Sequence, residues 1–256
     1  MNPDPLATPE VLREREARDR SGLFYLDGLG LVRRAIRSRR MPVATVVCPE
    51  LLRHSSTRDF AEHRRSGGFP VCQVAEREFR HLSRRAAPDG IGAILRQDAG
   101  SLPRPATAGE IWIGFDMIRS PGNLGTCLRT AAAAGARGAV FLGEGCDPYD
   151  PGALRAAMGA TFRLRLARAE ERVFAAWRRR TRALVVGASS RARRDYRAVR
   201  PGRGPIVVMM GDERKGLTRR QRRLCDLLVR IPMARGSDSL NVGVAAGLML
   251  YAVRAD

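Results

Sequence analysis

Four residues in the last third of the chain have types and spacing that could bind a small molecule. Gly211 and Gly216 bracket a short loop after the apolar run at 207–210, and Ser239 and Asn241 stand where an apolar segment running to Tyr251 begins. Glycine lets the backbone approach a ligand closely or take φ > 0. Small polar side chains at a helix start lie beside free N–H groups that attract a carboxylate. A glycine loop behind a buried strand, facing a polar helix start, makes two walls of a ligand pocket. Each feature also has a plain structural reading, as a helix cap satisfied by its own side chain and two ordinary turns.

Elements able to position these residues alternate along the second half. Apolar runs at 111–115, 139–142, 183–186 and 207–210 read as buried strands, and 231–233 reads as a second short strand after the glycine loop. Residues 126–134, stopped by Gly135, read as a helix, as do 150–158, opened by the Asp150-Pro151 pair. Such alternation predicts a mainly parallel sheet covered by helices on both faces, with ligands beyond the carboxyl ends of its strands. The first half is a smaller α/β pattern. Residues 1–20 form a loose, charged start running into a solvated helix. A strand at 23–26, a helix carrying Leu29, Val32 and Ile36, and a strand at 43–47 follow as a β-α-β unit. A strand at 70–74, a helix at 75–85 and a strand at 90–95 complete it. Gly100, Pro103, Pro105 and Gly109 punctuate the polar stretch between the halves, so the expected division is a domain at 1–97, a linker at 98–108 and a second domain at 109–256.

The chain carries 46 basic against 26 acidic residues, a formal charge of +20, which implies a polyanionic partner or an acidic membrane surface. Nucleic acid is the first choice. Lys215 is the one lysine; the remaining positive charge is arginine, whose planar fork suits phosphate, although genomic base composition can produce the same bias. Between residues 163 and 203 stand 14 arginines against Glu170, Glu171 and Asp195, an excess better suited to an RNA backbone than to solubility alone. Trp177 in that stretch reads as a core anchor rather than a base-stacking platform. Five scattered cysteines and His54, His63 and His81 do not complete a metal-ligand set, so reduced thiols and no metal are expected. The nearly apolar run at 240–253 is too short for a bilayer span and too late for a signal peptide, which points to no membrane and to the cytoplasm. Neither a dinucleotide fingerprint nor an ATP-binding phosphate loop is present.

The loop Ile118-Arg119-Ser120-Pro121-Gly122-Asn123-Leu124-Gly125, leading into Thr126-Cys127-Leu128-Arg129-Thr130-Ala131, resembles the first motif of the TrmH/SpoU RNA ribose 2′-O-methyltransferases. Gly211-x-Glu213-x-x-Gly216-Leu217 resembles the second motif. Ile231-Pro232-Met233 followed by Ser239-Leu240-Asn241-Val242 resembles the third. Leu26-Asp27-Gly28 and Pro88-Asp89-Gly90-Ile91 are similar to the small substrate-binding domain that many members carry first. Asp212, Arg214 and Gly243 depart from the family pattern. The resemblance implies an α/β protein: a C-terminal SPOUT domain with a parallel sheet and a deep trefoil knot, preceded by a small α/β RNA substrate-binding domain, working as a homodimer. It implies S-adenosylmethionine (SAM) as cofactor, held around Gly211, Ile231, Met233, Ser239 and Leu240. It places Arg129, Asn123, Glu213, Ser239 and Asn241 in the catalytic site. A guanidinium stays protonated at neutral pH and is a poor proton acceptor, so positioning suits Arg129 better than proton abstraction. The implied reaction is methylation of a ribose 2′-hydroxyl in RNA, with ribosomal RNA favoured by the extra domain. Transfer RNA as substrate, base methylation, and a non-catalytic RNA-binding protein of the same fold remain alternatives.

Overall fold

A computed structural model of the chain describes residues 4, 6, 8–83, 85–103, 107–143, 145–236 and 239–254. The chain clusters into two compact units, Met1–Asp98 with Tyr149–Arg155 and Ala99–Pro148 with Ala156–Asp256.

In the first unit, α1 (Arg15–Ser21) stops at Gly22 in the left-handed conformation. It is followed by β1 (Leu23–Asp27), α2 (Leu29–Arg37), β2 (Ala44–Val47), α3 (Ser55–Ser66), β3 (Val71–Gln73), α4 (Glu76–Ser83) and β4 (Ile91–Arg96). The sheet order is β1-β4-β2-β3. The expected β-α-β unit is present, but β4 lies antiparallel between its two strands, while β3 runs parallel to β2. Leu23, Tyr25, Val46, Phe79, Leu82 and Ile94 form the core beneath it. Helix α3 has no apolar stripe to announce it. Its inward face is Thr57, Ala61 and Arg64, and Arg64, 3% exposed, donates its Nε–H to Thr45 Oγ1 at 3.0 Å while lying 3.7 Å over the Phe69 ring.

Asp27 ends β1 in a costly setting. It accepts a hydrogen bond from Ser83 Oγ at 2.8 Å, but its buried Oδ1 has no hydrogen-bond partner among the described residues. Burial pushes its pKa up to about 6, with the Asp89 charge adding to the rise, against the Ser83 bond and Arg85. The folded state therefore binds this proton more tightly than the unfolded chain. The contribution is full below the unfolded value near 4 and is lost as pH rises from about 4 to about 6. Asp27→Asn is expected to raise unfolding free energy at pH 8 by about 2–3 kcal/mol and to change it little at pH 4. Urea unfolding at the two pH values checks this, and an equal effect at both would remove ionisation as the cause.

The second unit is organised on an eight-stranded sheet of order β10-β12-β9-β11-β6-β7-β8-β5. Its strands are β5 (Ala99–Gly100), β6 (Ile111–Phe115), β7 (Gly138–Leu142), β8 (Arg165–Ala169), β9 (Leu184–Ala188), β10 (Arg194–Asp195), β11 (Ile206–Met210) and β12 (Leu227–Arg230). Every pairing is parallel, as the alternation of strand and helix predicts. Strands β6, β7 and β11 are buried along their whole length, which is why they read as continuous apolar runs. The unit's helices are α5 (Pro121–Ala133), α7 (Glu171–Thr181), α8 (Arg219–Leu224) and α9 (Val242–Ala252), while α6 (Pro151–Ala157) falls mostly within the Tyr149–Arg155 segment that clusters with the first unit. Trp177 is 1% exposed, donates its indole N–H to Pro103 O at 3.0 Å and meets Trp112 edge-on, so it is a core anchor.

Two expectations shift. The strand read at 231–233 lies instead at Leu227–Arg230, and residues 231–233 are irregular because Pro232 has no N–H to give to a ladder. The helix read at 126–134 begins at Pro121, a turn earlier. Among the described residues no helix is long and apolar enough to cross a membrane. None of the five cysteines, all of them among the described residues, is in a disulfide.

Candidate functional site

Strands β6 and β11 are neighbours, so the loops after their carboxyl ends face each other. Ser120 and Pro121 open α5 as N-cap and first-turn residue, and Ser120 Oγ accepts from the Asn123 N–H at 3.3 Å. Glu213 reaches across from the other loop. Its Oε1 accepts from Ser120 N at 3.1 Å and Asn123 Nδ2 at 3.2 Å, and its Oε2 accepts from Arg119 N at 3.4 Å. A carboxylate at a helix N-terminus also gains from the helix dipole. Burial pushes the Glu213 pKa up, but hydrogen bonds from peptide N–H groups and from Asn123 outweigh it and leave the pKa below its ordinary value. Glu213 is therefore an ionised tie rather than a proton carrier at neutral pH.

The tie continues to the third segment. Asn123 Oδ1 accepts from Asn241 Nδ2 at 3.0 Å, and Asn241 Oδ1 accepts from Gly243 N at 2.8 Å as the N-cap of α9. Glu213, Asn123 and Asn241 thus join three loops by side chains distant in sequence. The loop around Glu213 is closed on itself: Asp212 N donates to Gly216 O at 3.1 Å, and Gly216 N donates to Asp212 O at 2.9 Å. Asp212 Oδ1 accepts from Arg214 N and Lys215 N, each at 2.9 Å, and Oδ2 accepts from Arg119 Nε at 3.1 Å. The Lys215 and Arg214 N–H groups, helped by Arg119, hold its carboxyl below the usual range. At Gly211 a Cβ would stand 2.4 Å from both C and O of Gly216, so only glycine fits the base of this loop. Arg119, Ser120, Asn123 and residues 212–215 line a cavity of about 500 Å³ whose mouth carries the charges of Arg119, Arg214 and Lys215.

The remaining expected residues lie less centrally. Ile231 and Leu240 are half-buried, whereas Met233 and Ser239 are exposed. The peptide groups of Ile231, Met233, Ser239 and Leu240 make no hydrogen bond with any described residue, which leaves donors and acceptors for a ligand read by main-chain contacts. Together with the space enforced at Gly211 and the polar start of α9, this fits SAM, which presents an adenine edge and a carboxylate. Arg129 is exposed on α5, makes no hydrogen bond or ion pair with a described residue, and does not line the cavity. Six residues after Asn123, it projects about 120° away around the helix. Arg119, Ser120 and Asp212 contribute to the site without having been singled out. The Ser120-Pro121 cap pair was a readable signal for one of them.

The SpoU rRNA Methylase family matches residues 110–251, and the MRM3-like substrate binding domain matches residues 9–93. The chain is 33% identical over 172 residues to the 23S rRNA (uridine(2479)-2'-O)-methyltransferase of Streptomyces viridochromogenes, an alignment covering 64% of this chain and 60% of that protein. The chain therefore spans less than two thirds of that relative's length. It is 27% identical over 244 residues to the 23S rRNA (guanosine(2553)-2'-O)-methyltransferase RlmP of Bacillus subtilis (strain 168), covering 95% of this chain and 93% of the relative. Among solved structures it is similar to the AdoMet-bound rRNA methyltransferase from Sinorhizobium meliloti, with TM-score 0.81, 31% identity and coverage of 96% and 92%. The first match takes in more than half of the chain and all three loops tied together by Glu213, Asn123 and Asn241, and on that ground the chain belongs to the SpoU rRNA methylase family.

Proposed function

We propose that the protein is a SAM-dependent methyltransferase acting on a ribose 2′-hydroxyl of ribosomal RNA. The observation that carries this reading is the Glu213–Asn123–Asn241 chain, which ties the three motif loops into one site at the carboxyl ends of β6 and β11. The names of the relatives, which act on 23S ribosomal RNA, support the substrate. When bound, SAM supplies an electrophilic methyl group on a sulfonium. The peptide groups of Ile231, Met233, Ser239 and Leu240, with the space at Gly211, would hold it by main-chain contacts, and the α9 N-terminus would receive its carboxylate. Arg129 orients the ribose and its adjoining phosphate, while Arg119, Arg214 and Lys215 neutralise backbone phosphates at the cavity mouth. Alignment within roughly 3–3.5 Å supplies most of the acceleration when a hydroxyl attacks a sulfonium methyl.

Residues 1–97 select the RNA and 109–256 carry the catalysis; within the expected linker at 98–108, Ala99–Gly100 form β5 of the second unit's sheet, and Tyr149–Arg155 cluster with the first unit. Two copies pair through the α5–α9 face, where Val244 and Tyr251 are 51% and 52% exposed on a helix otherwise made of apolar and small residues. The path from β11 through α8 to β12, which skips over β9, is the part of the chain in which the trefoil knot would lie. The protein works in the cytoplasm, beside its RNA. The test offers full-length protein methyl-labelled SAM with unmodified large-subunit ribosomal RNA and, separately, bulk transfer RNA, followed by complete nucleoside digestion. The expected label is a 2′-O-methyl nucleoside from ribosomal RNA. Label on a base, label in transfer RNA alone, or no SAM binding at millimolar ligand would each overturn the reading.

A further inference from the structure

Between helix α7 and the start of β8 lies a further concavity of about 610 Å³, which shares no lining residue with the loop site. One wall is helix α7, which presents Arg172, Val173, Ala176 and Arg180 along one stripe, and the other is Arg165 at the start of β8 with Ser101 and Leu102. Residues eight apart on a helix are about 12 Å apart along its axis. The floor is apolar. Val173 is 48% exposed, and the buried Trp177 closes the trough from below. Neither Arg165 nor Arg180 makes a side-chain hydrogen bond or ion pair with a described residue, and Arg172 meets only Glu170, in a pair whose side chains are 83% and 68% exposed. Such an exposed pair contributes little and exchanges readily with another anion.

Not every arginine in this part of the chain is free in this way. Arg178 is bound to Leu224 O and Asp226, and Arg197 to Asp195. Three arginines with no side-chain partner among the described residues, or with only an exposed one, line this trough together. Three like charges around an apolar floor repel one another unless a polyanion lies between them, and the spacing suits successive phosphates of a single strand with bases resting on the floor.

The trough also has a direction. In a β-α-β unit the helix runs against its strands, so Arg172 lies near the carboxyl-end edge of the sheet, on the side of the Glu213 site, and Arg165 and Arg180 lie near the opposite edge. Strand β8 is two positions from β6, a lateral distance of about 10 Å. We propose that this trough is a second RNA-binding site, which holds a single-stranded segment flanking the methylated nucleotide and leads it from the reaction edge down the outer face of α7. The proposal rests on the RNA-methyltransferase reading.

The variant Arg165→Gln/Arg172→Gln/Arg180→Gln touches none of the loop-site residues. With a single-stranded oligouridylate twelve-mer and with unmodified large-subunit ribosomal RNA as probes, its affinity at 150 mM salt is expected to fall roughly tenfold. The slope of log affinity against log salt should become shallower by about 1 per arginine removed. SAM affinity and turnover at saturating RNA should stay at the wild-type level, which also shows that the variant is folded. Unchanged RNA affinity and salt slope would overturn the trough as an RNA site, and would be the result if it served a protein partner. Uridine monophosphate competing as well as the twelve-mer would overturn it in favour of a small nucleotide pocket. If instead the wild-type protein neither binds nor methylates ribosomal RNA, the underlying activity is what fails.

Discussion

Arg129→Ala is expected to lower methyl transfer by about 100-fold or more while leaving SAM affinity and thermal stability near wild type. The side chain is exposed and holds nothing else in place, since it makes no hydrogen bond or ion pair with a described residue. Removing it therefore opens no cavity and strands no buried partner. Its contribution is made only when RNA is present, and misplacing the nucleophile by about 1 Å is enough to cost roughly 100-fold. A fall in turnover without weaker SAM binding is the signature of a group that acts on the second substrate. Single-turnover transfer with saturating SAM, alongside calorimetric SAM titration, checks both halves. A matching loss of SAM affinity would move Arg129 into the cofactor pocket, and unchanged turnover would remove it from the mechanism.

Gly211→Ala should do the opposite, abolishing measurable SAM binding and destabilising the fold by about 3 kcal/mol or more. The added methyl would lie 2.4 Å from the carbonyl carbon and oxygen of Gly216 and 2.5 Å from Leu217 N, all main-chain atoms that cannot rotate away. Overpacking of this kind forces a backbone shift. The shift would fall on the pair of hydrogen bonds between Asp212 and Gly216 that closes the loop, and so on the position of Glu213. Calorimetry with SAM and a thermal melt measure the two effects, and a variant that binds SAM normally would show that the loop does not border the cofactor.

The fold was legible where burial is uniform. Strands β6, β7 and β11 are buried at every position, and their apolar runs announced them. Strand β8 was not legible, because Arg165 and Arg168 interrupt a segment whose Leu166 and Ala167 are buried, and the period that decides the matter is only five residues long. Helix α3 escaped for a similar reason, since a buried arginine serves as part of its inner face. Strand β12 was displaced by the apolar look of Ile231-Pro232-Met233; the Leu227–Arg230 run pairs with β9 because its amides are all free to donate. At the site, residue types and their order could be read, but the contacts could not. No local spacing relates Glu213 to Asn123 or Asn123 to Asn241, which are brought together by the sheet and by the close packing of α5 on α9, where a Cβ at Gly243 would meet Thr126 Cγ2 at 2.7 Å. Asp212, a departure from the family pattern, turns out to cap its own loop through two peptide N–H groups.

Both margins of the eight-stranded sheet end in two-residue strands, β5 at Ala99–Gly100 and β10 at Arg194–Asp195. A long open margin of unpaired peptide groups is a template on which another chain can add a strand, the first step toward aggregation. Here each margin offers scarcely one repeat of the ladder, and at β10 it presents a charge of each sign. A protein this rich in parallel β-structure, which must form slow, long-range pairings while newly made, thus offers little purchase to its neighbours in a crowded cell.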